Sequence, residues 1–168
     1  MNPCPCGFLG DHRRECRCNE GAIRRYQTRL SGPLLDRIDL LVEAPALTLD
    51  ELESETPGET TAEVRKRVVR ARDRQHQRAQ QMGLSYNGWV NARLSGRLLR
   101  EAASLDSESK TLMRRASERW GLSARSWERL LRVALTIADL QEAPRVLAIH
   151  ISEALQYRSL SFAKPLMK

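Results

Sequence analysis

Residues 123–140 read Ser-Ala-Arg-Ser-Trp-Glu-Arg-Leu-Leu-Arg-Val-Ala-Leu-Thr-Ile-Ala-Asp-Leu. Trp127, Leu130, Leu131, Ala134, Ile137 and Ala138 recur at i, i+3, i+4 and i+7, the spacing of one buried helical face. Ser123 is a good N-cap and Pro144 follows the apolar run, so a helix over 124–141 is predicted. Arg125 then lies in its first turn, where free backbone N–H groups and the positive helix end favour an anion. By itself that arginine, with Arg129 and Arg132 continuing the row, reads first as a solvated basic stripe.

Working outward, the flanking segments are helical too. Helices are predicted near 93–103, over 107–120 with Leu112, Met113, Ala116 and Trp120 on one face, and over 148–158 with Ile149, Ile151, Ala154 and Leu155. Upstream, Thr60-x-x-Glu63 is a capping box that opens a long helix ending near Gly83. Its apolar stripe (Val64, Val68, Ala71, Met82) is thin, and its many arginines suggest a solvated helix lying on a core. Residues 84–92 form a loop with Asn87-Gly88 as its turn, and 159–168 a frayed tail.

The first 58 residues differ in character. A short helix is predicted over 22–30, then Ser31-Gly32-Pro33, then a strand over Ile38–Glu43, and a capped turn at Thr48 and Glu51 that Thr56-Pro57-Gly58 ends. One strand cannot satisfy its own backbone groups, so missing partners are implied. All four cysteines, Cys4, Cys6, Cys16 and Cys18, lie within the first eighteen residues. The pairs suit a tetrahedral S4 zinc site, with free or oxidised thiols as the other reading. His12, between the pairs, is either a substitute ligand or a plain loop histidine.

With 41% hydrophobic and only 5% aromatic residues, the 168-residue chain is expected to be a helical protein rather than a β-sandwich. No run approaches membrane-spanning length and no signal region is visible, which predicts a cytoplasmic location without a membrane partner. A net charge of +7, carried mostly by arginine, favours polyanionic partners such as phosphates or DNA.

Taken in order, MNPCPCGFLGD, RRECRCNEGAIRRYQTRLSGPLLDRIDL, GLSARSWERLLRVALTIADL and HISEALQYR resemble the second half of an AAA+ module of the magnesium-chelatase-like group. The similarity is greatest to its ComM/YifB, competence-associated branch-migration helicase type. It runs over nearly the whole chain and is weakest across 46–110.

The resemblance implies a mostly α chain in three parts. Residues 1–58 are a remnant of the AAA+ core, with the Cys-rich loop and one strand; 59–158 are the helical lid; 159–168 are a flexible tail. It implies that Asn2 is the sensor-1 asparagine, Arg37 the arginine finger and Arg125 the sensor-2 arginine. It also implies ATP and Mg2+ in an intact parent, structural Zn2+, and a hexameric ring of like subunits acting on DNA. Leu135 stands where the family pattern often has arginine, which leaves open any phosphate or partner contact there but not the helix.

No Gly-x4-Gly-Lys-Ser/Thr loop occurs in the chain, and no apolar strand ends in acidic metal ligands. Met1 is therefore read as an internal residue of a longer parent, whose upstream ATPase segment would be the first partner. The chain alone is expected to be inactive as an ATPase. The rival expectation is a stand-alone zinc-containing nucleic-acid-binding or adaptor module; a metal-inserting chelatase subunit shares the fold but not the cysteine block.

Overall fold

The computed structural model describes residues 1–11, 13–54, 57–84 and 89–158. His12, the Thr56 part of the predicted break, the Asn87-Gly88 turn and the tail at 159–168 lie outside the described residues. Helices α1 (Glu20–Gln27), α2 (Gly32–Leu35), α3 (Leu49–Glu53) and α4 (Thr61–Gln81) come first. A 3₁₀ turn (Asn91–Arg93), α5 (Gly96–Ala103), α6 (Ser107–Trp120), α7 (Ala124–Leu140) and α8 (Ala148–Gln156) follow.

Helix starts follow the capping residues. Thr60 Oγ1 accepts from Glu63 N–H while Glu63 Oε2 accepts from Thr60 N–H at 2.9 Å, so both partners of the box are in place. Asp106 caps α6 by accepting from Ser109 N–H at 2.8 Å. Gly121 ends that helix at φ +59°, a left-handed conformation that costs glycine little, and Leu122 N–H returns to the Ser117 carbonyl. The N-terminus of α8 is capped by a histidine: His150 Nδ1 accepts from Leu147 N–H at 2.9 Å. Burial holds that imidazole below its usual pKa, in the neutral form the cap requires, although Glu153 pulls the other way.

Helix α7 is the centre of the molecule. It packs against α4, α5, α8 and the 3₁₀ turn, while α6 leans on α8. The core comprises Leu99, Met113, Leu130, Leu131, Ala134, Leu135, Ala138, Val146, Ile151 and Ala154 among others, all from the helical half. Leu135 is 1% exposed and fills this core, so no phosphate or partner can be met there.

Three expectations need correction. The strand expected at Ile38–Glu43 is not formed: among the described residues there is no strand, and this stretch has no neighbouring chain to pair with. Its Leu41 N–H donates instead to the Tyr157 carbonyl after α8, at 2.8 Å. Val64 and Val68 do not face a core; the N-terminal half of α4 is exposed, and its buried face is Ala71, Gln75 and Ala79. Ile149 is exposed, because His150 takes the inward position as the cap.

Helix α4 is also not merely a solvated arginine helix. Both Arg78 and Asn91 bond Asp139, which is wholly buried on α7, Asn91 through Nδ2 to Oδ2 at 2.8 Å. Asn91 N–H reaches Gln75 Oε1 and its Nδ2 reaches Thr136 Oγ1. Arg74 donates to the Ala143 carbonyl, and Arg70 pairs with Glu142 at 2.8 Å. A polar seam, rather than an apolar one, docks α4.

Candidate functional site: a four-thiol loop and a two-arginine cleft

Two clusters carry chemistry. The first is the cysteine loop. Gly7, at φ +85°, lets the chain turn back so that Gly7 N–H bonds the Cys4 carbonyl. Asp11 Oδ1 accepts from the N–H groups of Arg13 and Arg14 at 2.7 and 3.1 Å, shaping the return. Asn19 caps α1 directly after Cys18, and Gln27 Nε2 donates to the Pro3 carbonyl, tying the loop to that helix.

The sulfurs converge as a result. Cys4 and Cys6 are 3.4 Å apart, Cys6 and Cys16 3.6 Å, and Cys4 and Cys16 3.7 Å. All four ligand atoms, Cys18 included, lie within 4.8 Å of one another. A tetrahedron of thiolates at the usual zinc–sulfur distance has edges of roughly 3.8 Å, so the donor set and its spacing fit such an ion.

The thiols are also electrostatically unequal. Cys6 is brought down to about 6, first by the Phe8 backbone N–H and against desolvation, with help from Cys4 and Cys18. Cys16 is pushed up to about 12: the Cys18 backbone N–H favours its thiolate, but desolvation and the neighbouring Cys6 and Cys4 outweigh that. Repulsion among packed sulfurs is what a bound cation would relieve.

The second cluster is a cleft of about 440 Å³ lined by Gly32, Pro33, Asp36, Arg37, Ser123 and Arg125. It brings together two arginines 88 positions apart in the chain. Helix α2 starts on Ser31, whose hydroxyl accepts from Leu34 N–H, and Arg37 N–H closes the turn onto the Leu34 carbonyl. On the facing wall Ser123 caps α7 by accepting from Ser126 N–H at 3.1 Å, so Arg125 stands in the first helical turn as expected.

Both guanidinium groups are exposed and, among the described residues, neither has an ion-pair partner. With Asp36 directed to Arg158 and Ser126, the two arginines leave the cleft with a net positive potential that favours an anion. Asn2 does not line the cleft. Its amide lies against Gly7, where an added Cβ would stand 3.4 Å from Nδ2.

The basic row on α7 resolves differently from the solvated stripe. Arg129 turns inward to face Asp39 at 3.5 Å, and Arg132 donates to the Leu94 carbonyl at 3.1 Å. The sequence reading missed Arg158, which is 2% exposed just after α8 and faces Asp36 at 3.6 Å. Its signal was there to find: an arginine following Ala-Leu-Gln-Tyr, at the end of an apolar helix, needs an acidic partner.

A helical bundle whose central helix begins at a two-arginine cleft is joined here to a four-thiol loop, and each of the two parts matches a known family. The family described as magnesium chelatase, subunit ChlI C-terminal, matches residues 58–158, and that described as magnesium chelatase, subunit ChlI, matches residues 1–52. The chain belongs to the magnesium-chelatase-like family, and within it to the ComM/YifB type.

Among curated proteins it is 38% identical over 162 residues to competence protein ComM of Haemophilus influenzae, which covers 95% of this chain and 30% of that protein. It is 39% identical over 163 residues to YifB of Escherichia coli, with the same coverage. The Mycobacterium tuberculosis protein Rv2897c is 38% identical over 157 residues, or 94% of this chain. The chain thus spans about 30% of the length of these relatives. No helix among the described residues is long and apolar enough to cross a membrane.

Proposed function

We propose that the chain is the nucleotide-sensing distal portion of an AAA+ ring ATPase that acts on DNA. Arg37 serves as the arginine finger and Arg125 as the sensor-2 arginine, and both address a triphosphate held by other polypeptide. Residues 1–58 are the remnant of the ATPase core, 59–158 its lid, and Asn2 the sensor that orients the attacking water. The observation that carries this reading is the shared cleft: two exposed guanidiniums, without an ion-pair partner among the described residues, meet a capped helix start. A γ-phosphate there gains charge-assisted bonds from two sides, stronger as charge develops in transfer.

ATP and Mg2+ supply the reactive phosphate and its counter-charge when bound by the parent. This chain contributes orientation and positive potential. Neighbouring like subunits, in a ring such as a hexamer, supply the nucleotide; lid movement between ATP and ADP states supplies the motion. DNA as the track is supported by the +7 charge and by the competence designation of the Haemophilus relative.

Tripolyphosphate tests the cleft without a nucleotide-binding loop. The chain should bind it weakly, and Arg37→Ala and Arg125→Ala should each weaken binding by about tenfold, since a charge-assisted bond is worth roughly 1.5–3 kcal/mol. Wild-type affinity in both variants counts against the reading.

The cysteine loop has a structural part in this proposal. Four thiolates hold one Zn2+ and cross-link a segment that has little core of its own. Metal analysis should find one equivalent per chain. Chelation should raise amide exchange over residues 1–18 and leave melting of the α5–α8 core in place. Full protection of the loop after complete metal removal would exclude this role.

A further inference from the structure

The turn that carries Arg37 is fastened to the helical bundle by a small polar cluster. Ser126, buried one turn into α7, donates to Asp36 Oδ1 at 3.0 Å, and Ser123 Oγ donates to Ser126 Oγ in turn. Asp36 also faces Arg158, whose Nη1 reaches the Ile38 carbonyl at 3.5 Å. Arg129 meets Asp39, and Leu41 N–H bonds the Tyr157 carbonyl.

These contacts tie residues 36–41 to the start of α7 and the end of α8, across sequence separations of up to 122 residues. Exposed ion pairs of this length contribute little, but Arg158 is 2% exposed and Arg129 17% by side chain. A buried Arg158 near the mostly buried Arg129, each disfavouring the other's charge, is costly without carboxylates, and Asp36 and Asp39 are the ones that come. The acidic partners are half open, 46% and 57% exposed, so the segment is held by the arginines rather than by its own burial.

We propose that Arg158 and Arg129 are positioning residues that lock the Arg37 turn onto α7 and α8, so that Arg37 and Arg125 travel as one rigid pair. This rests on the reading of Arg37 and Arg125 as phosphate contacts. Lid movement then carries the finger with it: the cleft keeps its width and approaches or leaves the nucleotide as a unit. Arg37 and Arg125 keep their two roles but do not move independently.

Asp36→Ala in this chain separates positioning from plain electrostatics by sign. Asp36 lines the cleft, so removing its negative charge should tighten tripolyphosphate binding if charge alone matters. Positioning requires the reverse, a weakening of about fivefold. It also requires Arg37→Ala to cost less in the Asp36→Ala background than in the wild type, because an unplaced finger has little left to lose.

Amide exchange gives an independent readout. Leu41 N–H should exchange at least about tenfold faster in Asp36→Ala and in Arg158→Gln, with Leu130 and Leu131 reporting that the core is intact. Unchanged Leu41 exchange in Asp36→Ala overturns the fastening, and so does tighter binding with an undiminished Arg37→Ala cost. If the wild-type chain does not bind tripolyphosphate, the phosphate reading fails. Exchange at Leu41 still decides the fastening in that case.

Discussion

On the proposed function, replacing Arg37 by alanine in a full-length ATPase of this type that carries these residues should lower kcat for ATP by about a thousandfold and leave KM within a few-fold. An arginine supplied to a neighbour's γ-phosphate contributes mainly as charge develops in the transition state, and such residues are worth 10³–10⁵ in turnover. Ground-state nucleotide binding depends on the loop that cradles the β- and γ-phosphates, which this chain does not contain. The two parameters therefore separate, as they do when an interaction is made only in the transition state.

Mixing gives the stricter form of this experiment. Arg37→Ala subunits still present an intact nucleotide to their neighbours, while subunits lacking the phosphate loop lysine still present an intact finger. Rings assembled from both should recover part of the turnover that neither has alone. If the Arg37→Ala protein keeps wild-type kcat, or mixed rings stay silent, the arginine does not act across an interface. The exposure of Arg37 and its lack of an ion pair among the described residues would then need another purpose.

How much of this was open to reading depended on distance along the chain. Helix starts and stops are local statements: Thr60 with Glu63, Asp106 with Ser109, and Ser123 with Ser126 each settle a boundary within four residues. The periodicity of α7 identified its core face, and the four sulfurs meet as the cysteine spacing suggested. Ile38–Glu43 has strand composition, but composition cannot supply a partner strand, and the segment hangs on Tyr157, Arg129 and Arg158 instead. Val64 and Val68 fit a helical period without a surface to meet. Both failures turn on contacts, made or missing, with residues far apart in sequence, which propensity and period do not encode; Ile149 was displaced locally, by the His150 cap on Leu147.

Asp139 belongs to the same class, though it carried a warning. It follows Ala138 on the apolar face of α7, four residues past Leu135, and a carboxylate there demands a cation. Arg78, 61 residues earlier, is that cation. The pair matters because α4 buries only Ala71, Gln75 and Ala79, too little apolar surface to hold 21 residues of helix against the bundle. Docking of α4 must come largely from Arg78, Asn91, Gln75 and Asp139 bonding one another.

Asp139→Ala should therefore destabilise the chain by about 3–5 kcal/mol, since it strands the buried Asn91 amide and the mostly buried Arg78 guanidinium. The damage should be uneven. Amides of α4 from Ala71 to Ala79 should lose protection first, while Leu130, Leu131 and Ile151 keep theirs until α7 itself opens. Replacing both charged partners, as Arg78→Met with Asp139→Leu, should recover part of the loss, because no charge is left unpaired while the Asn91 amide keeps only Thr136. A single Asp139→Ala variant within about 1 kcal/mol of wild type, or one that melts all helices together, would show that α4 is held by something other than this seam.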